Sequence, residues 1–350
     1  MPISSSFITF YSLFWPFVAF FLPWHTPCSM MGLMRGYIPG SQKAKPFLFS
    51  RILKDFFASR LHLVLFVLTM LTTTLAGLVI ALAGQQSALY SVGRVGLYAA
   101  LLKHPGLLFR ALSYSIALLF ILGFHEMGHY TFSRKFGINA SLPYFIPVPP
   151  FIIFIGTLGA VIKIRSPILY RRPLVEIGAA GPIASFTLSI PITLIGLKLS
   201  TVAMGPAPEG ALVFHESIIF KLLSWVAFGG SLPDNSQLIL HPLAFAGWLG
   251  FFVTALNLLP IGQLDGGHLA YALLGRRYRV FADAAFILLV PLGLLWPGWW
   301  VWAVLLIILG RKHPVVRDQD QPLSTRERLL IYSSLVIFVL CFMPKPISLS

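Results

Sequence analysis

The sequence predicts an all-α polytopic membrane protein, a helical bundle of about six to eight spans with a membrane-dipping β-hairpin. Three observations carry this. Much of the chain consists of apolar runs of the length that crosses a bilayer, about 20 residues each. Only 11% of the 350 residues are charged and 57% are hydrophobic, whereas soluble domains carry about 25% charged residues. The Lys and Arg residues, which set a formal net charge of +15, fall in short clusters between the runs, as the positive-inside rule requires of a polytopic chain. With no basic tail and no aromatic-interleaved patch, that charge reads as topology, and no nucleic-acid partner is expected.

Taken in order, the first apolar stretch, residues 7–24, has no Lys or Arg before it and no small-residue cleavage site. It reads as an extra span, a re-entrant segment or an upstream start that the mature protein lacks. Arg51, Lys54 and Arg60 then place the start of a span over residues 61–83 on the cytoplasmic side. Residues 84–110 are expected outside. A second span, 111–132, returns inward and ends at Ser133-Arg134-Lys135. Over 142–164 the prolines Pro143, Pro147, Pro149 and Pro150 forbid a continuous helix. The β-branched run Ile152-Ile153-Phe154-Ile155 before Gly156-Thr157-Leu158-Gly159 suggests a hairpin that dips in and returns to the side of Arg165, Arg171 and Arg172. Residues 173–197 form the next span, with Gly178, Gly181 and neighbouring alanines as a helix-packing face. The stretch 198–241 reads as an external loop too short for an inserted PDZ-like domain. Residues 242–260 span inward, 281–309 form an apolar pair broken at Pro297-Gly298, and 329–342 make a last span. The expected division is an N-terminal segment 1–60, a catalytic membrane core 61–275 and C-terminal spans 276–350. Cys28 and Cys341 form no paired framework.

The chemistry concentrates in His125-Glu126-Met127-Gly128-His129. On a helix the i, i+4 spacing sets the two imidazoles about 40° apart on one face, where they can share a zinc ion. Glu126 projects beside them and can take a proton from a water whose pKa zinc lowers towards about 7. Three ionisable groups inside an apolar helix cost roughly 2.5 kcal/mol or more each if charged, so a functional role is the default. A catalytic zinc needs a third protein ligand, and the later intramembrane carboxylates are Glu176 and Asp265. Glu176 follows Arg171 and Arg172, which can neutralise it. Asp265 has no basic residue nearer than Arg276 and precedes Gly266-Gly267, where another backbone or a substrate can approach closely.

Residues 125–129, followed by Asn257-Leu258-Leu259-Pro260-Ile261-Gly262-Gln263-Leu264-Asp265-Gly266-Gly267, resemble the site-2 protease family of intramembrane zinc metalloproteases. The likeness covers roughly residues 61–274. Gly156-Thr157-Leu158-Gly159-Ala160 is similar to the corresponding segment in the branch of plastid and cyanobacterial members without a PDZ domain. The resemblance implies one zinc ion per chain held by His125, His129 and Asp265, with Glu126 as general acid/base. It assigns Asn257 to substrate positioning or oxyanion stabilisation, although other branches bring that asparagine and the aspartate together as NPDG. Here the two lie eight positions apart. Glu176 to Pro182 also resembles a family segment, a structural one. The substrate implied is a membrane protein with a transmembrane segment, held extended along the hairpin edge at Gly156 and Thr157. The expected location is a bacterial or archaeal cell membrane, with the site near the cytoplasmic face. Two other readings stay open: a membrane-anchored zincin with Glu176 as third ligand, and a non-catalytic transporter or scaffold.

Overall fold

The computed structural model describes residues 60–83, 104–310, 313–319 and 321–350. The expected segment at 7–24 and most of the loop after the first span lie outside the described residues.

Among the described residues four helical stretches are long and apolar enough to cross a membrane: Arg60–Ala83 (α1), Gly106–Lys135 (α2), Arg171–Lys198 (α3) and Asp265–Leu295. The last is interrupted. Asp265–Leu274 (α6) ends at a 3₁₀ turn, Gly275–Arg277, where Gly275 takes φ +55°, and Tyr278–Leu295 (α7) follows. Shorter apolar helices complete the set: Ile218–Phe228 (α4), Pro242–Asn257 (α5), Gly298–Leu309 (α8) and Thr325–Cys341 (α9). The break between α7 and α8 falls at Pro297, as the sequence indicates.

The centre is a triad of α2, α3 and α5, with α1 packed on the outside of α2, and α6 and α9 both packed against α3. At 16 residues α5 measures about 24 Å, short of a bilayer core. Its residues are nevertheless nearly all buried, because α2 and α3 enclose it, and α6 continues its path after the turn at 258–264. Hydroxyls tie the apolar helices together: Thr73 meets Ser115 at 2.6 Å between α1 and α2.

The hairpin is present, with a different tip. Tyr144–Pro147 (β1) pairs antiparallel with Thr157–Val161 (β2). The run at 152–155, expected as strand, instead forms the turn, since Ile152 and Ile153 close back on the Pro149 carbonyl. One side of that tip docks on the bundle: Tyr114 Oη donates to the Ile155 carbonyl at 2.9 Å, and Phe154 packs on Phe214 and Phe245, while Phe151 stays exposed.

The stretch 198–241 is more ordered than a loop. It carries Thr201–Met204 (β3) paired with Ser236–Ile239 (β5), and Leu212–Phe214 (β4) paired with the C-terminal strand Ile347–Leu349 (β6), with α4 between them. The apolar run beginning at Ile218 was hidden by the acidic residues around it.

At the opposite end, the C-terminus of α2 and the N-termini of α3 and α9 meet. Glu176, its side chain fully buried, receives Lys135 at 2.6 Å, Arg172 at 3.0 Å and Arg326 at 3.5 Å. The α9 start is fixed by Ser324 and Glu327, which cap one another's backbone N–H groups. The linker before it is latched to α6, with His268 Nδ1 and His313 Nε2 2.7 Å apart and His313 stacked on Tyr271.

Candidate metal centre

His125 and His129 lie two turns from the basic end of α2; six residues separate His129 from Lys135, a rise of about 9 Å. Both side chains are buried. Their ring orientations follow from their outer nitrogens. His129 Nδ1 donates to the Ile177 carbonyl at 2.8 Å. His125 Nδ1 meets Ser185 Oγ at 3.0 Å, Ser185 Oγ meets Thr254 Oγ1 at 2.9 Å, and Thr254 donates to the Gly250 carbonyl at 2.7 Å. Because the last hydroxyl proton is committed, the chain runs one way: His125 to Ser185 to Thr254. Both imidazoles therefore carry their proton on Nδ1 and present a lone pair at Nε2.

Those lone pairs converge. His125 Nε2 and His129 Nε2 are 3.1 Å apart, and Asp265 Oδ2 lies 3.3 Å from each. Among the described residues this is the cluster of histidine and carboxylate groups able to hold a metal. Three acceptors at such range repel one another unless a cation sits between them. Ligand atoms about 2.0–2.1 Å from a tetrahedral zinc stand roughly 3.3 Å apart, so the donor set and its spacing fit zinc. Asn257 closes the site from the end of α5, its Nδ2 3.2 Å from His125 Nε2.

Asp265 reaches this point because it is the first residue of α6, delivered by the turn after Asn257. Gly266 and Gly267 make that turn compact. A Cβ on Gly267 would sit 2.9 Å from the Ile261 carbonyl oxygen, and one on Gly266 would strike the Leu258 carbonyl. The close neighbour of these glycines is thus the chain's own backbone.

Glu126, half-buried beside the triad, accepts a hydrogen bond from the Ile162 N–H at 3.1 Å. Ile162 follows β2, so the hairpin holds the glutamate. Along β2 the Lys163 carbonyl turns towards Ser141, so the alternate groups at Ile162 and Ala160 face away from β1. Gly156 and Thr157 sit in the base of this arrangement. Thr157 is buried and donates to the Ile146 carbonyl at 2.8 Å, while Gly156 takes φ +85° against the α1 backbone at Thr72 and Thr73.

Small residues and hydroxyls of α2, α3 and α5 also shape the site. A Cβ on Gly181 would collide with the His129 ring, one on Gly128 would meet the Ala180 carbonyl, and one on Gly178 would press on His268 at 3.3 Å. The small residues of α3, read as a packing face, thus give the metal-site helices their room. Thr254 is the one hydroxyl in α5, a rarity that was a signal available, whereas Ser185 is one of four hydroxyls along α3 and carried no such mark. Glu176 stands apart from the triad, in its basic cluster.

The fold and the site together define a helical, membrane-type protein with a candidate metal centre of two buried histidines and a half-buried aspartate beside a second carboxylate. The profile of peptidase family M50 matches residues 113–296, and the chain belongs to that family. It is 30% identical over 234 residues to the probable zinc metalloprotease EGY2, chloroplastic, of Arabidopsis thaliana, covering 65% of this chain and 40% of that protein. It is 31% identical over 240 residues to EGY1 of the same plant, covering 67% and 43%. A third relative, EGY3 of Oryza sativa subsp. indica, shares 25% identity, covering 73% and 46%. The chain therefore spans under half the length of these curated relatives. No solved structure matches it.

Proposed function

We propose that the chain is an intramembrane zinc metalloprotease that hydrolyses peptide bonds in or near transmembrane segments of membrane-tethered proteins. The observation that carries this is the convergence of His125 Nε2, His129 Nε2 and Asp265 Oδ2 at 3.1–3.3 Å beside a carboxylate held by a strand. One zinc per chain at these three atoms would polarise a scissile carbonyl and lower the pKa of a nearby water. Glu126 takes the proton of the attacking water and returns it to the leaving nitrogen. Asn257, donating from the far side of the site, orients the carbonyl oxygen.

A substrate helix must unwind before its carbonyls are open to attack, and the outward edge of β2 at Ala160 and Ile162 provides main-chain groups to pair with it. Gly156 and Thr157 belong to substrate binding in this sense: they hold the edge in place. Seven crossings are in keeping with the helix order, namely α1, α2, α3, α5 with α6, α7, α8 and α9, with the hairpin dipping from the basic side. The unwound segment between α5 and α6 lies at the site, where protein encloses it. The division into segment 1–60, core 61–275 and C-terminal spans 276–350 follows, and the basic end faces the cytoplasm of a bacterial or archaeal cell. Oxygen ligation by Glu176 has no support, since three cations already surround it.

Glu126→Gln keeps shape while losing the ability to accept a proton. The variant should retain full zinc stoichiometry and cleave a single-span test substrate at least about a hundredfold more slowly. Near-normal cleavage by the variant would overturn the mechanism, and failure of the unaltered, zinc-loaded chain to cleave would favour a transporter or scaffold.

A further inference from the structure

Two groups of three cations lie at the basic end of the bundle, and they differ in one respect. Lys135, Arg172 and Arg326 surround the buried carboxylate of Glu176. Arg171, Arg276 and Arg328 instead surround an open cleft of about 470 Å³, together with Gln319, Gln321 and Tyr332. Among the described residues no carboxylate lines that cleft. Arg171 is held at its rim by neutral partners alone: Nε donates to the Ala272 carbonyl at 2.7 Å and Nη1 to the Gln319 carbonyl at 3.0 Å, with the Gln321 carbonyl also in contact. Asp318, in the linker, accepts from the Arg171 backbone N–H at 2.8 Å. With Nη2 also on the Ala272 carbonyl, four of the five Arg171 N–H groups are spent on backbone carbonyls, so Arg171 contributes fixed positive charge at the rim and the guanidinium forks come from Arg276 and Arg328.

The cleft also has a defined setting. Its walls are the start of α3, the end of α6 with the following turn, the linker, and the first turns of α9. Apolar side chains share the cleft lining with the arginines, namely Leu273, which is open to the surroundings, Leu274 and Leu323, together with the half-exposed ring of Tyr332. Guanidinium forks above an apolar flank match a phosphate joined to an acyl body, because arginine pairs bidentately with phosphate oxygens. Basic pockets between helices at the membrane boundary bind anionic head groups in this way.

We infer that Arg171, Arg276 and Arg328 form a binding site for a phosphate-bearing anion, the head group of an anionic phospholipid. The inference rests on the chain lying in a membrane and is independent of peptide hydrolysis. Since Arg171 also grips the last turn of α6, the helix that opens with Asp265, an occupied cleft secures that helix.

The full chain in neutral detergent is titrated separately with phosphatidylglycerol, phosphatidylcholine and inorganic phosphate, and retained adducts are counted by native mass spectrometry. Phosphatidylglycerol should be retained and phosphatidylcholine should not. Arg276→Gln and Arg328→Gln should each weaken retention about tenfold, the loss of one charge-assisted contact. Arg276→Lys should weaken it less, because charge remains while the fork is lost. Arg276 lies on an exposed turn, so its variants keep the fold, which an unchanged unfolding temperature without additive verifies. Binding of inorganic phosphate with the same dependence on Arg276 would keep the phosphate chemistry and make a free anion the occupant. Equal retention of the two lipids, retention of neither phosphatidylglycerol nor phosphate, or retention unaffected by Arg276→Gln would overturn the site.

Discussion

Asp265 and Glu176 are both carboxylates in apolar helices, yet their neighbours give them opposite roles. Asp265 faces two histidine lone pairs at 3.3 Å, an arrangement that a cation completes. Asp265→Ala should lower zinc affinity about tenfold or more, measured by metal stoichiometry against a competing chelator. Glu176→Ala should keep its zinc and lose stability instead. The loss should be about 1–2 kcal/mol in denaturant unfolding, below the figure for a fully buried pair because Lys135, Arg172 and Arg326 are 43–60% exposed. Full zinc in Asp265→Ala with loss in Glu176→Ala would restore the zincin reading. Gly181 belongs at this scale too. Its missing Cβ leaves the volume that the His129 ring fills, so Gly181→Ala should weaken zinc binding about 10–100-fold, as removal of a supporting contact does. Unaltered affinity would mean that α3 can yield.

At the scale of elements, the hairpin and the broken α5–α6 helix do the positioning. The hairpin holds Glu126 through Ile162, and its own seat is the α1 backbone: a Cβ on Gly156 would come within 2.6 Å of the Thr72 carbonyl oxygen. Gly156→Val combines that clash with an unfavourable φ of +85° and should move the hairpin. Cleavage should slow at least about tenfold, a displacement of the order of 1 Å being enough, while zinc content stays normal because none of the three ligands is on the hairpin. Kinetics equal to those of the unaltered chain would reduce the hairpin to a plug. The prolines made this element legible in the sequence by excluding a helix. They did not show which apolar residues would be strand and which turn, because an apolar run suits both a strand and a turn that docks on neighbouring helices.

Across the whole molecule the cations gather at one end of the helices. Lys135, Arg172 and Arg326 gather on one carboxylate, and the turn at Arg276 and Arg277 lies at the same end. Single cysteines at the exposed positions Arg134 and Arg277 should be labelled by an impermeant reagent from one side of the membrane, and a cysteine at Asp234 from the other. Labelling of Arg134→Cys and Arg277→Cys from opposite sides would be incompatible with a shared metal.

The amino-acid sequence by itself determined the membrane class, the helical breaks and the chemistry of the site. Long apolar runs, prolines and a five-residue metal motif are local properties, and they survive whatever the chain does next. It also narrowed the third ligand to two carboxylates. Packing in three dimensions set which hydroxyls fix the histidine tautomers, that Gly181 makes room for His129, that Glu176 has three cations, and that Arg171, Arg276 and Arg328 share a cleft lined by no carboxylate among the described residues. These are distances between residues up to about 150 positions apart along the chain, and the packing of helices sets them, since composition and spacing carry no information about which faces meet.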